Sequence, residues 1–335
     1  MTDLFRAAAH IRLHRGKTFV IKIGGGPLTK PNQLRALARQ IGVVQALGSR
    51  VVVVHGGGPQ TDQLQRTLGE EPRMVDGRRV TTPTALRALR MATAGELNGE
   101  VVAVLSAEGA PAVGVSGASA GLLAAQRRAP MKTSAGVVDF GEVGDLESVD
   151  PRPLTALLDA GYVPVVSPPA SDGKGGFLNV NADLTAAAVA VALGAAKLVL
   201  VTGAPGVLAN PDDPHSLLSA LSLSDLAHLE NTGAVRAGMK VKSTAIRHAL
   251  QGGVGRVHVV SGTDPEALVR ELYTNHGAGT LITMLPQTAP DANAISEPIA
   301  QPAPAPAARP KPSAKPKGAS KPRAKAAAAA KGKAR

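Results

Sequence analysis

The sequence predicts an α/β protein, a three-layer αβα sandwich around a mostly parallel central sheet. Three observations carry that expectation. Short β-branched runs alternate with segments of helical periodicity along most of the 335 residues. The runs are apolar on both faces, as strands covered by helices on both sides must be. Triple-glycine clusters follow directly on two of the runs, at the strand ends where open α/β sheets place their ligands.

The first element is a leader at residues 2–15, where Leu4, Phe5, Ala8, Ile11 and Leu13 recur at near-helical spacing. Such an amphipathic helix either packs on its own subunit or serves as an oligomerisation element, and both readings stay open. Strands are expected at 18–23, 50–54, 112–115, 163–167, 198–202 and 257–260, where Val, Ile and Thr dominate. Helices are expected at 32–47, 84–108, 151–158, 184–193 and 239–250, supplying the crossovers that parallel strands require. Residues 127–144, rich in Gly and charge, interrupt the alternation, and a rim hairpin, a candidate lid, is expected there. After Pro286, Pro, Ala and Lys replace apolar periodicity, so residues 286–335 cannot bury a core and are expected to be a disordered basic tail.

Charge separates the tail from the rest. The net +12 comes from 37 basic against 25 acidic residues, but ten of the basic ones fall between Arg309 and Arg335 with no acid among them. The first 300 residues, with 27 basic against 25 acidic, are nearly neutral. The tail is either solubilising or an electrostatic tether to nucleic acid or another polyanion, and carries no catalytic chemistry. The absence of cysteine excludes disulfides, thiolate metal sites and cysteine nucleophiles, and fits a reducing compartment. Four Phe and two Tyr are too few for base-stacking platforms. The apolar stretch at 186–196 stops at Lys197, short of the roughly 20 residues of a membrane span. Arg6, Arg12 and Arg15 interrupt any secretory leader. The expectation is a soluble cytoplasmic protein with no membrane partner.

The chemistry concentrates in a few places. The first strand runs into Gly24-Gly25-Gly26-Pro27 and the second into Gly56-Gly57-Gly58-Pro59. One such run reads as a tight turn; two at equivalent strand ends favour a nest of backbone N–H groups for an anion, with the spacing of neither a P-loop nor a dinucleotide fingerprint. His55 beside them braces the turn and has no acid–base step to perform. Lys22 interrupts an apolar strand, so it either faces a counter-charge or site, or is an edge-strand lysine that reaches water. Lys242 falls in the opening of a helix, where the macrodipole disfavours a cation by a few tenths to about 1 kcal/mol unless an anion joins it. Asp183, ahead of the apolar helix, is either an N-cap or a carboxylate that places two lysines.

In this order the motifs are similar to those of the acetylglutamate kinases of the amino-acid kinase superfamily. The likeness covers residues 11–282 and rests on Gly16-Lys17-Thr18-Phe19-Val20-Ile21-Lys22, residues 55–59, Arg79-Val80-Thr81, residues 179–183, Gly206-Val207-Leu208 and residues 238–242. It implies the amino-acid kinase fold over 16–285, with an N-terminal half for acetylglutamate and a C-terminal half for ATP. The implied reaction is phosphoryl transfer from Mg-ATP to the side-chain carboxylate of N-acetyl-L-glutamate. The resemblance implies that Lys22 and Lys242 stabilise the transferring group, that Asp183 orients them, and that the backbone of Gly25, Gly57 and Gly58 contacts the phosphoryl oxygens. Arg79 and Asn179 would hold the substrate α-carboxylate, and Mg²⁺ would arrive with ATP, the protein holding no metal itself. The chain departs from the family at Gly203, where an Asp is usual, and at Ala118-Ser119, where a Lys-Asp pair is usual. Arginine-sensitive members carry a leader helix that joins dimers into a hexamer, and a late segment that Lys197, His258, Glu271, Gly277 and Gly279 resemble, which implies a homo-oligomer, dimer or hexamer, and an arginine effector site. In the leader, Ala9-His10 stand where those members have Pro-Tyr. Two alternatives stay open: a related carboxylate kinase acting on an aminoadipate derivative, and a catalytically impaired regulatory subunit.

Overall fold

Alternation within the first strand decides how the layers fill. In the computed structural model, which describes residues 2–232 and 237–286, β1 (Thr18–Ile23) sends Phe19, Ile21 and Ile23 into one apolar core and Val20 into another. Successive side chains of a strand point to opposite faces, so a strand apolar at nearly every position must be covered twice.

The leader helix α1 (Thr2–His14) precedes β1, and α2 (Pro31–Ala46), β2 (Arg50–His55) and α3 (Gly58–Thr67) follow it. A short ladder of β3 (Met74–Val75) and β4 (Arg78–Arg79) leads to α4 (Pro83–Leu89), which passes through π-helical turns at Arg90–Leu97 into α5 (Asn98–Ala107). Then come β5 (Ala112–Ser116), β6 (Leu123–Arg127), β7 (Met131–Thr133), β8 (Gly136–Val138) and β9 (Gly144–Val149). The chain continues through α6 (Arg152–Asp159), β10 (Val163–Ser167), β11 (Ala170–Ser171), β12 (Phe177–Leu178), α7 (Ala182–Ala192) and β13 (Lys197–Thr202). It closes with β14 (Ala220–Ser222), α8 (Leu223–Asn231), α9 (Ala237–Gln251), β15 (Arg256–Ser261), α10 (Ala267–Tyr273) and β16 (Thr280–Thr283).

Eight strands form the main sheet in the order β14-β16-β15-β13-β1-β2-β10-β5. Every pairing is parallel except β15 with β16. On one face, α2, α5 and α10 contribute Leu37, Ile41, Leu105 and Leu272 to the core; on the other, α6, α7, α8 and α9 contribute Leu154, Ala187, Leu226 and Ile246. From β1 the chain runs outward through β2 on one side and later through β13 and β15 on the other. That makes the end of β1 the switch point, where ligands of open α/β sheets sit.

All six expected strands are present, with ends within about a residue of expectation, and the αβα layering stands. The helix expected over 84–108 contains the π-helical stretch, which helical periodicity alone does not reveal. The interval 127–144 is divided: Arg127 and Gly144 belong to β6 and β9 of a separate sheet, β12-β11-β6-β9, and only β7 and β8 make the rim hairpin. The short elements α3, α8, α10, β14 and β16 carry too few periods to be read from pattern. Residues 287–335 lie outside the described residues, and with them the expected disordered tail.

Candidate functional site

Lys22 lies in β1, hydrogen-bonded between β13 and β2, so it is an interior strand residue and not an edge lysine. Since Ile21 and Ile23 fill the core beneath α2, alternation turns Lys22 toward α7 and α9, where it is buried. At the start of α7 the cap is Asn181, whose Oδ1 accepts the backbone N–H groups of Asp183 and Leu184 at 2.8 and 3.1 Å. Asp183 is therefore not the cap. Its carboxylate is left for two cations: Lys22 Nζ at 2.8 Å and Lys242 Nζ, from the first turns of α9, at 3.1 Å.

Burial on its own would raise the Asp183 carboxyl, but the charges and hydrogen bonds of Lys22 and Lys242 outweigh it and hold the group below the usual carboxylate range. Burial, helped by the neighbouring Lys242 ammonium, lowers Lys22 against the opposing pull of Asp183. Two ammonium groups share one carboxylate, leaving one positive charge that an incoming anion can neutralise.

The glycine runs meet beside this cluster. The Gly24 N–H donates to Val201 O and the Gly56 N–H to Ile23 O, so the sheet takes up the first N–H of each turn. A Cβ added at Gly25 would lie 2.8 Å from Pro59 Cδ, and at Gly57 2.6 Å from the Thr93 methyl; at Gly58 it would meet nothing within 4 Å. Gly25 and Gly57 are thus glycine for packing between protein segments as well, while Gly58 stands open at the first turn of α3. Lys22, Gly24, Gly25, Gly203, Gly206 and Lys242 line a cleft of about 420 Å³.

A second cleft of about 680 Å³ is lined by Arg79, Arg128, Asn179, Asn181 and Lys240 among others. The Arg79 guanidinium pairs with Asp62 and donates to Gln65 Oε1 at 3.3 Å and to the Gly58 carbonyl at 3.5 Å. Asn179 Nδ2 donates to Thr81 Oγ1 at 3.0 Å. Lys240 and Lys242, two residues apart on α9, face different clefts, so the clefts adjoin at that helix. Sequence reasoning missed Asp62, Thr81 and Asn181; the signal for Asp62 was an acid one helical turn beyond the glycine run. Gly203 lines the first cleft, whereas Ala118 and Ser119 sit in the turn after the edge strand β5 and line neither.

The remaining candidates gather elsewhere. Lys197 pairs in register with Phe19, toward the opposite end of the sheet from Lys22. Lys197 Nζ donates to His258 Nε2 at 3.2 Å, and His258 Nδ1 donates to Glu271 Oε1 at 2.7 Å. Glu271 Oε2 accepts the N–H groups of Ala278 and Gly279 at 2.7 and 2.9 Å. A Cβ at Gly277, which has a φ of +57°, would lie 2.8 Å from that oxygen. Burial lowers Lys197 to about 8, with Arg256 adding to the effect and Glu271 opposing it. The leader helix reaches this cluster: the His14 ring packs edge-on against Phe19 and Tyr273, and the His14 carbonyl accepts from Ser49 Oγ, which contacts Tyr273 Oη at 3.1 Å. Helix α1 thus packs against its own chain.

A buried excess positive charge at a switch point, beside open main-chain N–H groups, places the molecule among α/β proteins that bind anionic groups at strand ends. The profile of the amino acid kinase family matches residues 17–261. An acetylglutamate kinase of Myxococcus xanthus is 48% identical over 285 residues, covering 83% of this chain and 92% of that protein. Among solved structures, N-acetylglutamate synthase from Neisseria gonorrhoeae complexed with coenzyme A and N-acetyl-glutamate superposes with a TM-score of 0.74 at 30% identity, covering 85% of this chain and 64% of that one. The same synthase complexed with coenzyme A and L-arginine gives 0.73 at 29% identity, covering 85% and 65%. This chain thus spans just under two thirds of the synthase. The chain belongs to the amino acid kinase family. Among the described residues no helix is long and apolar enough to cross a membrane.

Proposed function

We infer that this chain is an acetylglutamate kinase, which transfers the γ-phosphoryl group of ATP to the side-chain carboxylate of N-acetyl-L-glutamate in arginine biosynthesis. The observation that carries the reading is the convergence of Lys22 and Lys242 on Asp183 beside the glycine turns, in a chain 48% identical to a protein of that activity.

A carboxylate oxygen attacks the γ-phosphorus as the bond to the β,γ-bridging oxygen breaks, giving an acyl phosphate and ADP, and no proton need move. A carboxylate is already a nucleophile, so catalysis reduces to alignment and charge neutralisation. Lys22 and Lys242 supply the positive charge, Asp183 sets their spacing, and the N–H groups of Gly25, Gly57 and Gly58 supply dipoles for the phosphoryl oxygens. The cleft between Lys22 and Gly203 takes the nucleotide. The cleft at Arg79 and Asn179 takes acetylglutamate, Arg79 exchanging or sharing its pairing with Asp62 to bind the α-carboxylate. Mg²⁺ arriving with ATP would be held by the nucleotide phosphates, whose charge it neutralises. The relatives named acetylglutamate kinase favour that substrate over an aminoadipate derivative, and the convergence of Lys22, Asp183 and Lys242 weighs against an impaired subunit although Gly203 stands in the nucleotide cleft.

Arginine inhibition is a second reading that one observation favours: the buried Lys197, His258 and Glu271 cluster holds the backbone of Ala278 and Gly279, in a fold shared with a synthase solved with L-arginine. Trapping the acyl phosphate as a hydroxamate tests the main reaction. Hydroxamate is expected only when ATP, Mg²⁺ and acetylglutamate are all present, and its absence from the complete mixture would reject the assignment.

A further inference from the structure

The acid–base-free mechanism leaves a fully buried imidazole unexplained: His55, at the end of β2. Its Nδ1 lies 2.7 Å from the Gly56 carbonyl oxygen, and its Nε2 lies 3.1 Å from Asn98 Nδ2. Asn98 Nδ2 also lies 3.0 Å from the carbonyl oxygen of Val165 on β10. A carbonyl only accepts, so the Asn98 group facing Val165 is its NH₂, and the second hydrogen of that NH₂ is directed to His55. Nε2 must therefore accept, and Nδ1 must carry the proton it donates to Gly56. Asn98 Oδ1 occupies the space beside Gly114 on β5, where a Cβ would overlap it. One tautomer and one amide orientation satisfy every partner. The π-helical turns that end at Asn98 belong to the same arrangement, for they press Thr93 and Leu97 against Gly57.

We propose that His55 and Asn98 are positioning residues for phosphoryl transfer, locking the peptide unit between Gly56 and Gly57 and so aiming the Gly57 N–H. The Gly56 C=O and the Gly57 N–H are opposite ends of one planar amide, so a bond that fixes the oxygen fixes the direction of the N–H. Burial pushes His55 down to about 4, against the opposing hydrogen bond to Gly56, so the ring stays neutral near neutral pH and keeps its acceptor for Asn98. The proposal rests on the reading in which the glycine N–H groups hold the transferring phosphoryl group.

The test is steady-state kinetics on the full-length wild type and on His55→Leu, His55→Asn and Asn98→Ala, with melting temperatures alongside. A misaimed donor costs up to about 100-fold, and a contact made only in the transition state appears in kcat and not in KM. His55→Leu is expected to lose about 10- to 100-fold in kcat with both KM values little changed. His55→Asn, whose amide nitrogen falls where Nδ1 was, is expected to recover most of that loss. A His55→Leu enzyme with wild-type kcat, or a His55→Asn enzyme no faster than His55→Leu at equal melting temperature, would overturn the proposal. Should His55→Leu not fold, Asn98→Ala carries the same expectation, because without the amide the ring is free to turn and release Gly56; wild-type kcat in that variant also overturns it. A wild type without kinase activity fails the underlying reading, whereas an active wild type that Lys22→Ala cripples and the His55 and Asn98 variants leave intact fails this proposal alone.

Discussion

Lys22, Asp183 and Lys242 form a cluster whose charge does not balance until an anion enters, and residue chemistry sets the consequence. Lys22→Ala or Lys242→Ala is expected to lower kcat on the order of 100- to 1000-fold, with the fold retained because Asp183 keeps one ammonium partner in either variant. Unchanged kcat in either purified protein would remove that lysine from the mechanism. At this scale the sequence was informative about type and left the partners as open alternatives. A lysine inside an apolar strand and an aspartate ahead of a helix were both visible as anomalies. That Asn181 caps the helix and frees Asp183 required the actual turn, because Asn181 and Asp183 are both good caps and only geometry chooses between them.

Helices and strands carry the second layer of behaviour. The segment from α10 through residue 279, with β13 and β15, encloses Glu271, which burial would raise but which His258 and the N–H groups of Ala278 and Gly279 hold below the usual range. An ionised carboxylate at that joint can accept a guanidinium or an ammonium group. L-arginine is therefore expected to inhibit the wild type with a saturating curve, and Glu271→Gln to shift its midpoint upward by about tenfold or more, as the loss of one charged hydrogen bond implies. A flat response into millimolar arginine would dismiss the effector reading. Helix α1 docks beside this joint, through His14 against Tyr273 and Phe19. The π-helical stretch at Arg90–Leu97 was not legible, since helical periodicity does not distinguish it and the packing of Thr93 and Leu97 against Gly57, a residue some 35 positions earlier, is a tertiary contact.

Across the whole molecule, three histidines from different elements, His14, His55 and His258, are buried and lowered in pKa chiefly by burial, His14 to about 3 and His55 to about 4. The unfolded chain binds protons at these rings below the free value of 6.5 while the folded one does not, so the unfolded state holds more protons and stability rises with pH across that interval. Read downward, stability is lost as pH falls from about 6.5 toward 4, by about 2 kcal/mol at pH 5 for a fully buried ring such as His55. Melting temperature measured from pH 8 down to pH 5 is expected to fall steadily below about 6.5; a constant value would show that the buried rings protonate freely. Layering, strand count in the sheet's middle and the glycine turns were readable from the chain, because burial on two faces writes itself into every strand and tight turns demand glycine locally. The meeting of residues 22, 183 and 242 was legible only as one of two alternatives at Asp183 and as what the family resemblance implied; the pairing of Arg79 with Asp62 and the link from His55 to Asn98 were not legible. They depend on which strands lie side by side and in what register, and that is settled by contacts between segments far apart in the chain, which no local pattern records.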